Sequence, residues 1–236
     1  MKDIFRIYKE NKLFKEKDVE KVLDELEKNG FSRINKKELI INEEDRINDK
    51  TLELDTKIID LQSIRITHAS IVKFHNCVFI GDVMIYDEEE KLTEIDIDSC
   101  IFLKGCKIVN SNKLIDVSIK RSNFSCLTFH IVDVKNVYMM ESSVLDLRLE
   151  YMNADSFVLY WNNINSLNVE AGGFKEVKFD HSQINIKKSL NRLGRSQKGK
   201  GLNRNLFVLT EAFSRNSTQH IKHIENERIK DTLTFI

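Results

Sequence analysis

This chain of 236 residues contains no proline. That absence suits a tightly paired sheet, because proline removes a ladder donor and is confined to edges and bulges. Long apolar runs are missing as well: no stretch approaches the roughly eighteen apolar residues that a spanning helix needs. The N-terminus, MKDIFRIYKENKLFK, lacks the apolar core of a signal peptide, so a cytoplasmic protein is expected. Cysteine is scarce, at four residues, and no Cys-x-x-Cys pair occurs. The spacings match no zinc pattern.

Net charge is zero, but its parts are not. Residues 1–51 hold 13 basic and 13 acidic side chains. Residues 52–186 hold 13 basic and 20 acidic, a net of −7. Residues 187–236 hold 11 basic and 4 acidic, a net of +7. An acidic middle is joined to a basic tail.

What the middle does contain is a repeat. The pattern is apolar, any, apolar, any, any, small or polar, any, apolar. Seven copies begin at Leu52, Val72, Ile95, Val117, Val137, Phe157 and Val177. Two places later come Leu54, Phe74, Ile97, Ile119, Met139, Leu159 and Phe179. Seven places after each start come Ile59, Phe79, Phe102, Phe124, Val144, Ile164 and Ile184. Every one of these positions is apolar, in a chain that is only 41% hydrophobic. Alternation of apolar and other residues is the strand period. A fixed period of this size predicts a solenoid whose coils bury their inner faces by stacking. About seven coils at about 4.8 Å each give a rod of roughly 33 Å.

A period of five sits inside the twenty. The coil from Val137 reads Val137 and Met139, Ser142 and Val144, Leu147 and Leu149, Met152 and Ala154. Four such pairs predict four faces per turn. Extra residues around Asp87-Glu88-Glu89-Glu90-Lys91 and Asn110-Ser111-Asn112-Lys113 are expected to be surface loops at corners. The stretches FHNCVF (74–79), IDSCIF (97–102) and IKRSNF (119–124) resemble the pentapeptide-repeat family. The resemblance covers about residues 52–186. It implies a right-handed quadrilateral β-helix, with an inward Leu or Phe every five residues and a small inward residue two places before. The chain departs from that family in mostly lacking its Ala-Asp/Asn-Leu core.

The expected fold is therefore mainly β: a right-handed parallel β-helix over 52–186 with helical ends. Residues 1–51 form an N-terminal cap. Within it Val19, Val22, Leu23 and Leu26 make one helical stripe, stopped by Gly30 and placed to cap the first coil. Residues 187–204 form a basic flexible linker with Gly194, Gly199 and Gly201. Residues 205–236 form a helical hairpin with Leu206, Leu209 and Phe213 on one face, and Ile221 and Ile224 beyond Ser217. Leu206 to Glu227 resembles the hairpin that follows pentapeptide-like coils in some bacterial proteins, ahead of a membrane domain.

Most candidate sites dissolve into the repeat. Cys77 and Cys100 share a small inward column with Lys57, Ser122, Ser142, Asn162 and Ser182, and Cys106 fills a similar slot. Cys126 falls at a corner. Among the histidines, His220 and His223 are three apart but lack evident partner ligands, while His68, His75, His130 and His181 fall at outward offsets. One outward column holds Asp55, His75, Asp98, Lys120, Met140, Tyr160 and Asp180. It has no close run of acids, and Asp96 with Asp98 reads as a solvated strand face rather than a catalytic pair. No catalytic constellation, metal site, cofactor site or small-molecule substrate is evident.

Two surfaces remain. Tyr138, Met140, Val158, Tyr160 and Trp161, the last the sole tryptophan, cluster outward and form a candidate partner patch. The C-terminal hairpin, through Leu209 and Phe213, is the alternative cover for it. Lys187, Lys188, Arg192, Arg195, Lys198, Lys200 and Arg204 form a candidate anion-binding segment for nucleic acid or an acidic membrane surface. The expected function is a non-catalytic interaction or scaffold module, acting on a protein partner or as a homodimer. Its rivals are a nucleic-acid-related role, by DNA mimicry or by the basic tail, a regulatory domain of a membrane-linked protein, and a glycan-active enzyme.

Overall fold

The structure, a computed structural model, describes residues 19–35, 51–88 and 90–184. The expected linker and C-terminal hairpin lie outside these residues. One helix, α1 (Val19–Lys28), leads into β1 (Ser32–Ile34). Short strands follow: β2 (Thr51–Asp55), β3 (Lys57–Ile59), β4 (Ser63–Ile66), β5 (Ile71–His75), β6 (Val78–Phe79), β7 (Asp82–Tyr86) and β8 (Glu94–Asp98). Three long strands, β9 (Ile101–Lys120), β10 (Asn123–Met140) and β11 (Ser143–Tyr160), each wrap several faces of a coil. The series closes with β12 (Asn163–Ile164), β13 (Leu167–Asp180) and β14 (Gln183–Ile184).

These elements make a right-handed parallel β-solenoid of about six turns. The register follows the repeat. On the first face Leu52, Val72, Ile95, Val117, Val137, Phe157 and Val177 are successive parallel partners. Period-two alternation then sends both residues of each pair inward and the residue between them outward. The inward positions form one continuous core, with Phe74, Ile97, Ile119, Met139 and Leu159 all fully buried. On the second face Phe79, Phe102 and Phe124 stack at successive centroid spacings of 4.6 Å, nearly parallel. That spacing is close to the strand separation itself, so in-register rings of adjacent coils meet face to face. Gly81 marks a close approach between the first coils: a Cβ there would lie 2.0 Å from the Leu61 carbonyl oxygen.

The corner between the first and second faces is where the backbone pairing changes hands. Thr56, Asn76, Ser99, Arg121, Glu141, Trp161 and His181 all have left-handed φ there, between 45° and 54°. Their amides still pair upward: Arg121 N–H donates to the Met140 carbonyl at 2.9 Å, and Glu141 N–H to Tyr160 at 3.0 Å. The next amide cannot reach a backbone carbonyl and turns to a side chain instead. Cys100 N–H donates to Ser122 Oγ at 3.0 Å, Ser122 N–H to Ser142 Oγ at 3.1 Å, and Ser142 N–H to Asn162 Oδ1 at 2.9 Å. Asn162 N–H continues the series to Ser182 Oγ at 3.1 Å. The hydroxyls donate in turn to their own coil, Ser122 to the Lys120 carbonyl and Ser142 to that of Met140. The small inward column is thus a hydrogen-bond ladder as well as a packing column. Lys57 departs from the expectation. It lies at the end of the column, half-buried, and its ammonium reaches out to Ser32 Oγ at 2.7 Å.

Cys77 and Cys100 occupy the same ladder, with each thiol near the carbonyl two residues before it. Burial, then contact with Cys77, pushes the Cys100 thiol well up from its ordinary range. Burial does the same to Cys106. Cys126 is only half-buried, beside Thr128 Oγ1.

Two further departures concern charge and the helix. Asp87, read as part of a surface loop, is 4% exposed. Its carboxylate accepts the Lys91 and Leu92 amides at 2.8 and 3.1 Å and the Ser111 hydroxyl at 3.2 Å. It ties the insertion of one coil to the insertion of the next. Helix α1 ends in Gly30 with φ 95°, and the Phe31 amide returns to the Leu26 carbonyl. Its stripe does not lie over the open end of the coil. Val22, Leu23 and Leu26 pack with Phe31 on Ile58, Val78 and Ile101, the outward residues of the second face. The end of that face is met instead by β1, which pairs with β3. Arg33 holds the two together, binding Asp60 Oδ2 at 2.6 Å and Glu20 at 3.3 Å.

Two expectations follow. Ser142→Ala removes the acceptor of a buried amide and should cost about 1–3 kcal/mol in chemical denaturation; an unchanged midpoint would show that the ladder contributes nothing. Alkylation of the folded chain should modify Cys126 rapidly, with Cys77, Cys100 and Cys106 reacting only on unfolding, as peptide mapping would reveal.

Candidate interaction surface

The first face carries the aromatic patch because its outward slots are free of core duty. Met140, Tyr160 and Asp180 are successive partners in one outward column, and Tyr138 pairs with Val158 in the other. Trp161 follows at the left-handed corner, with φ 53°. A bulky residue at such a φ is uncommon, since the side chain crowds its own backbone. It persists because the Trp161 amide bonds the Asp180 carbonyl at 2.9 Å and the flanking strands fix the turn.

The structure brings the predicted residues together. Tyr160 and Trp161 rings lie 4.8 Å apart at a tilt of 34°. His181 meets both edge-on, at 6.1 and 6.0 Å. Its Nδ1 lies 2.7 Å from Asp180 Oδ1, which orients the ring. Tyr138 Oη lies 3.4 Å from Met140 Sδ. Trp161 is 51% exposed and Tyr138 37%, while Met140, Val158 and Tyr160 are half-buried. The cluster is therefore an outward surface with two strongly exposed rings, those of Trp161 and His181. At its upstream edge Ser118, the partner of Tyr138, has a buried hydroxyl without a hydrogen bond, and so does one oxygen of Asp96.

Two further polar contacts lie upstream along this face. Arg121 grips Asp98 through two nitrogens, and His75 Nε2 stands 3.9 Å from Asp96. Among the described residues no three His, Cys, Asp or Glu side chains are placed to hold a metal ion. No described helix is long and apolar enough to cross a membrane. The basic residues Lys187, Lys188, Arg192, Arg195, Lys198, Lys200 and Arg204, the pair His220 and His223, and the covering residues Leu209 and Phe213 lie outside the described residues.

Sequence reasoning missed a second exposed group at the diagonally opposite corner. Ile131 and Tyr151 also have left-handed φ, 53° and 55°, and both are exposed. His130 Nδ1 and Glu150 Oε2 are 2.9 Å apart beside them, with the Tyr151 ring edge-on to His130. The signal was present: Tyr151 stands two places after inward Leu149, as Trp161 does after Leu159.

No family model, curated protein or solved structure matches this chain.

The corner geometry yields a direct test. Trp161→Gly and Trp161→Ala both delete the indole, but only glycine accepts φ 53° without strain. The glycine variant should be the more stable of the two by about 1 kcal/mol in denaturant titration.

Proposed function

We propose that this chain is a non-catalytic interaction or scaffold module, presenting fixed side-chain columns to a protein partner or to a second copy. The observation that carries this reading is the Tyr138, Tyr160, Trp161 and His181 cluster. Exposed aromatics on a rigid support are the residues that most often dominate binding energy, because they bury large area at little entropic cost. A strained corner that holds its indole in water is the kind of local cost that accompanies a functional surface.

The same reading takes the solenoid as a divergent relative of the pentapeptide type, with seven coils. Its four pairs of inward residues per coil support that, and β1, paired with β3, would serve as its N-terminal cap. Four free thiols fit a reducing compartment, which supports the cytoplasm as the module's setting. A DNA-like acidic surface has less support. Asp98, Asp146, Asp155 and Glu150 are each neutralised by Arg121, Arg148, Lys175 and His130 in turn, the last when protonated.

The test compares tagged full-length chain with a Tyr160→Ala/Trp161→Ala variant and with Tyr151→Ala as a control. Retention of a specific partner from the native host, or self-association by sedimentation, should fall about tenfold or more in the double variant. It should persist in the control, with melting unchanged in both. Equal retention by all three proteins would remove the patch as the working surface.

A further inference from the structure

The aromatic patch has a charge beside it that the structure leaves uncommitted. Glu141 stands in the corner column one coil before Trp161, a strand separation of about 4.8 Å away. Its amide donates to the Tyr160 carbonyl at 3.0 Å, which fixes its backbone to the patch. Its side chain is half-buried and makes no ion pair among the described residues. Other charges nearby are engaged. Arg121, the preceding corner residue, holds Asp98. Asp180 holds His181 Nδ1 at 2.7 Å through Oδ1, and its other oxygen lies 3.8 Å from Lys178 Nζ. Next to Glu141 the Trp161 indole is 51% exposed, with its ring 4.8 Å from that of Tyr160. A carboxylate without a cation, beside an indole open to water, is complementary to a positive charge.

We propose that the Trp161 corner is the seat of a cationic side chain, an arginine, on a protein partner. The inference rests on reading this patch as the interaction surface, and it names the chemistry that the surface takes. Three considerations select arginine. Tryptophan is the ring that attracts cations most strongly, through the negative face of its quadrupole. A planar guanidinium can lie flat on the indole and turn its N–H fork to the Glu141 carboxylate at once, whereas an ammonium is a point charge without that fork. The wider field has the matching sign: residues 52–186 carry a net charge of −7, which concentrates basic partners near the solenoid. The diagonally opposite corner shows the contrast. Tyr151 is exposed there too, but the carboxylate beside it, Glu150, already lies 2.9 Å from His130 Nδ1. An exposed ring with a committed carboxylate offers a contact surface and no charge for a newcomer. Of the two exposed aromatic corners, one is therefore set up for a cation.

Trp161 is the sole tryptophan, so the emission of the unaltered full chain reports on this corner alone. The probes are acetyl-Gly-Arg-Arg-Gly-amide and the same peptide with citrulline in place of arginine, which keeps the shape and removes the charge. Free N-acetyltryptophanamide corrects for collisional quenching. The arginine peptide should change Trp161 emission saturably, with a midpoint about tenfold below that of the citrulline peptide. That comparison needs no substitution, so the folding of a variant cannot decide it. Glu141→Gln should raise the arginine midpoint about threefold or more and leave the citrulline midpoint and the melting curve unchanged. Tyr151→Ala should alter neither midpoint. Equal midpoints for the two peptides overturn the proposal, and so does an arginine preference that survives Glu141→Gln. The two readings fail separately. Equal midpoints sink the arginine seat and leave the patch as an interaction surface, whereas partner retention by Tyr160→Ala/Trp161→Ala sinks the surface itself.

Discussion

Everything in this solenoid hangs on one corner. Where the first face turns into the second, the chain takes a left-handed residue, and the amide that follows loses its backbone partner in the next coil. A buried amide must still be paired. The only atom within reach is the side chain at the equivalent place one coil on, and so that place must be small, inward and able to accept. Ser122, Ser142, Asn162 and Ser182 meet all three demands. Cysteine at 77 and 100 meets the first two and, with sulfur, the third weakly. Those demands also fix register: a slip of one residue would put an outward side chain into the ladder and leave a row of amides empty.

From that constraint the rest follows in order. Register fixed at the corner stacks like on like, so Phe79, Phe102 and Phe124 meet as parallel rings. Stacked rings and aliphatic columns fill the interior, and the interior leaves no room for insertions except where a polar anchor manages them. Asp87 is that anchor, receiving two amides of its own loop and the hydroxyl of Ser111 from the next coil. The outward positions carry none of these duties. They can hold ion pairs, as at Arg121 and Asp98, a helix seat, as at Ile58, Val78 and Ile101, or an aromatic cluster, as at Tyr160 and Trp161.

The inward columns were legible in the sequence because burial repeats: the same slot is apolar in every coil, and periodicity exposes that at once. The aromatic patch was legible for the same reason, since register alone places Tyr160 over Met140. The left-handed corner was not. Its occupants are Thr, Asn, Ser, Arg, Glu, Trp and His, with no glycine among them, because a corner pinned by its ladder on both sides needs no permissive residue. The flank seat of α1 was hidden by its neighbours. Ile58 sits beside inward Ile59 and Val78 beside inward Phe79, so outward apolar residues merged into what looked like core. Asp87 was misread because five charged residues in a row look solvated, and only the fold shows that the first of them turns inward.

The corner column also separates two kinds of information. Seven residues stand in a line along the rod, spaced by the strand separation, and none of their side chains takes part in packing the interior. Their backbones do the structural work while their side chains remain unassigned by it. Such a line behaves like a set of type slots on a printing block: the frame stays the same whichever characters are set in it. A solenoid of this kind can therefore change what it recognises by exchanging a few corner residues, at a pace independent of its core, and lengthening the rod by one coil adds one more character.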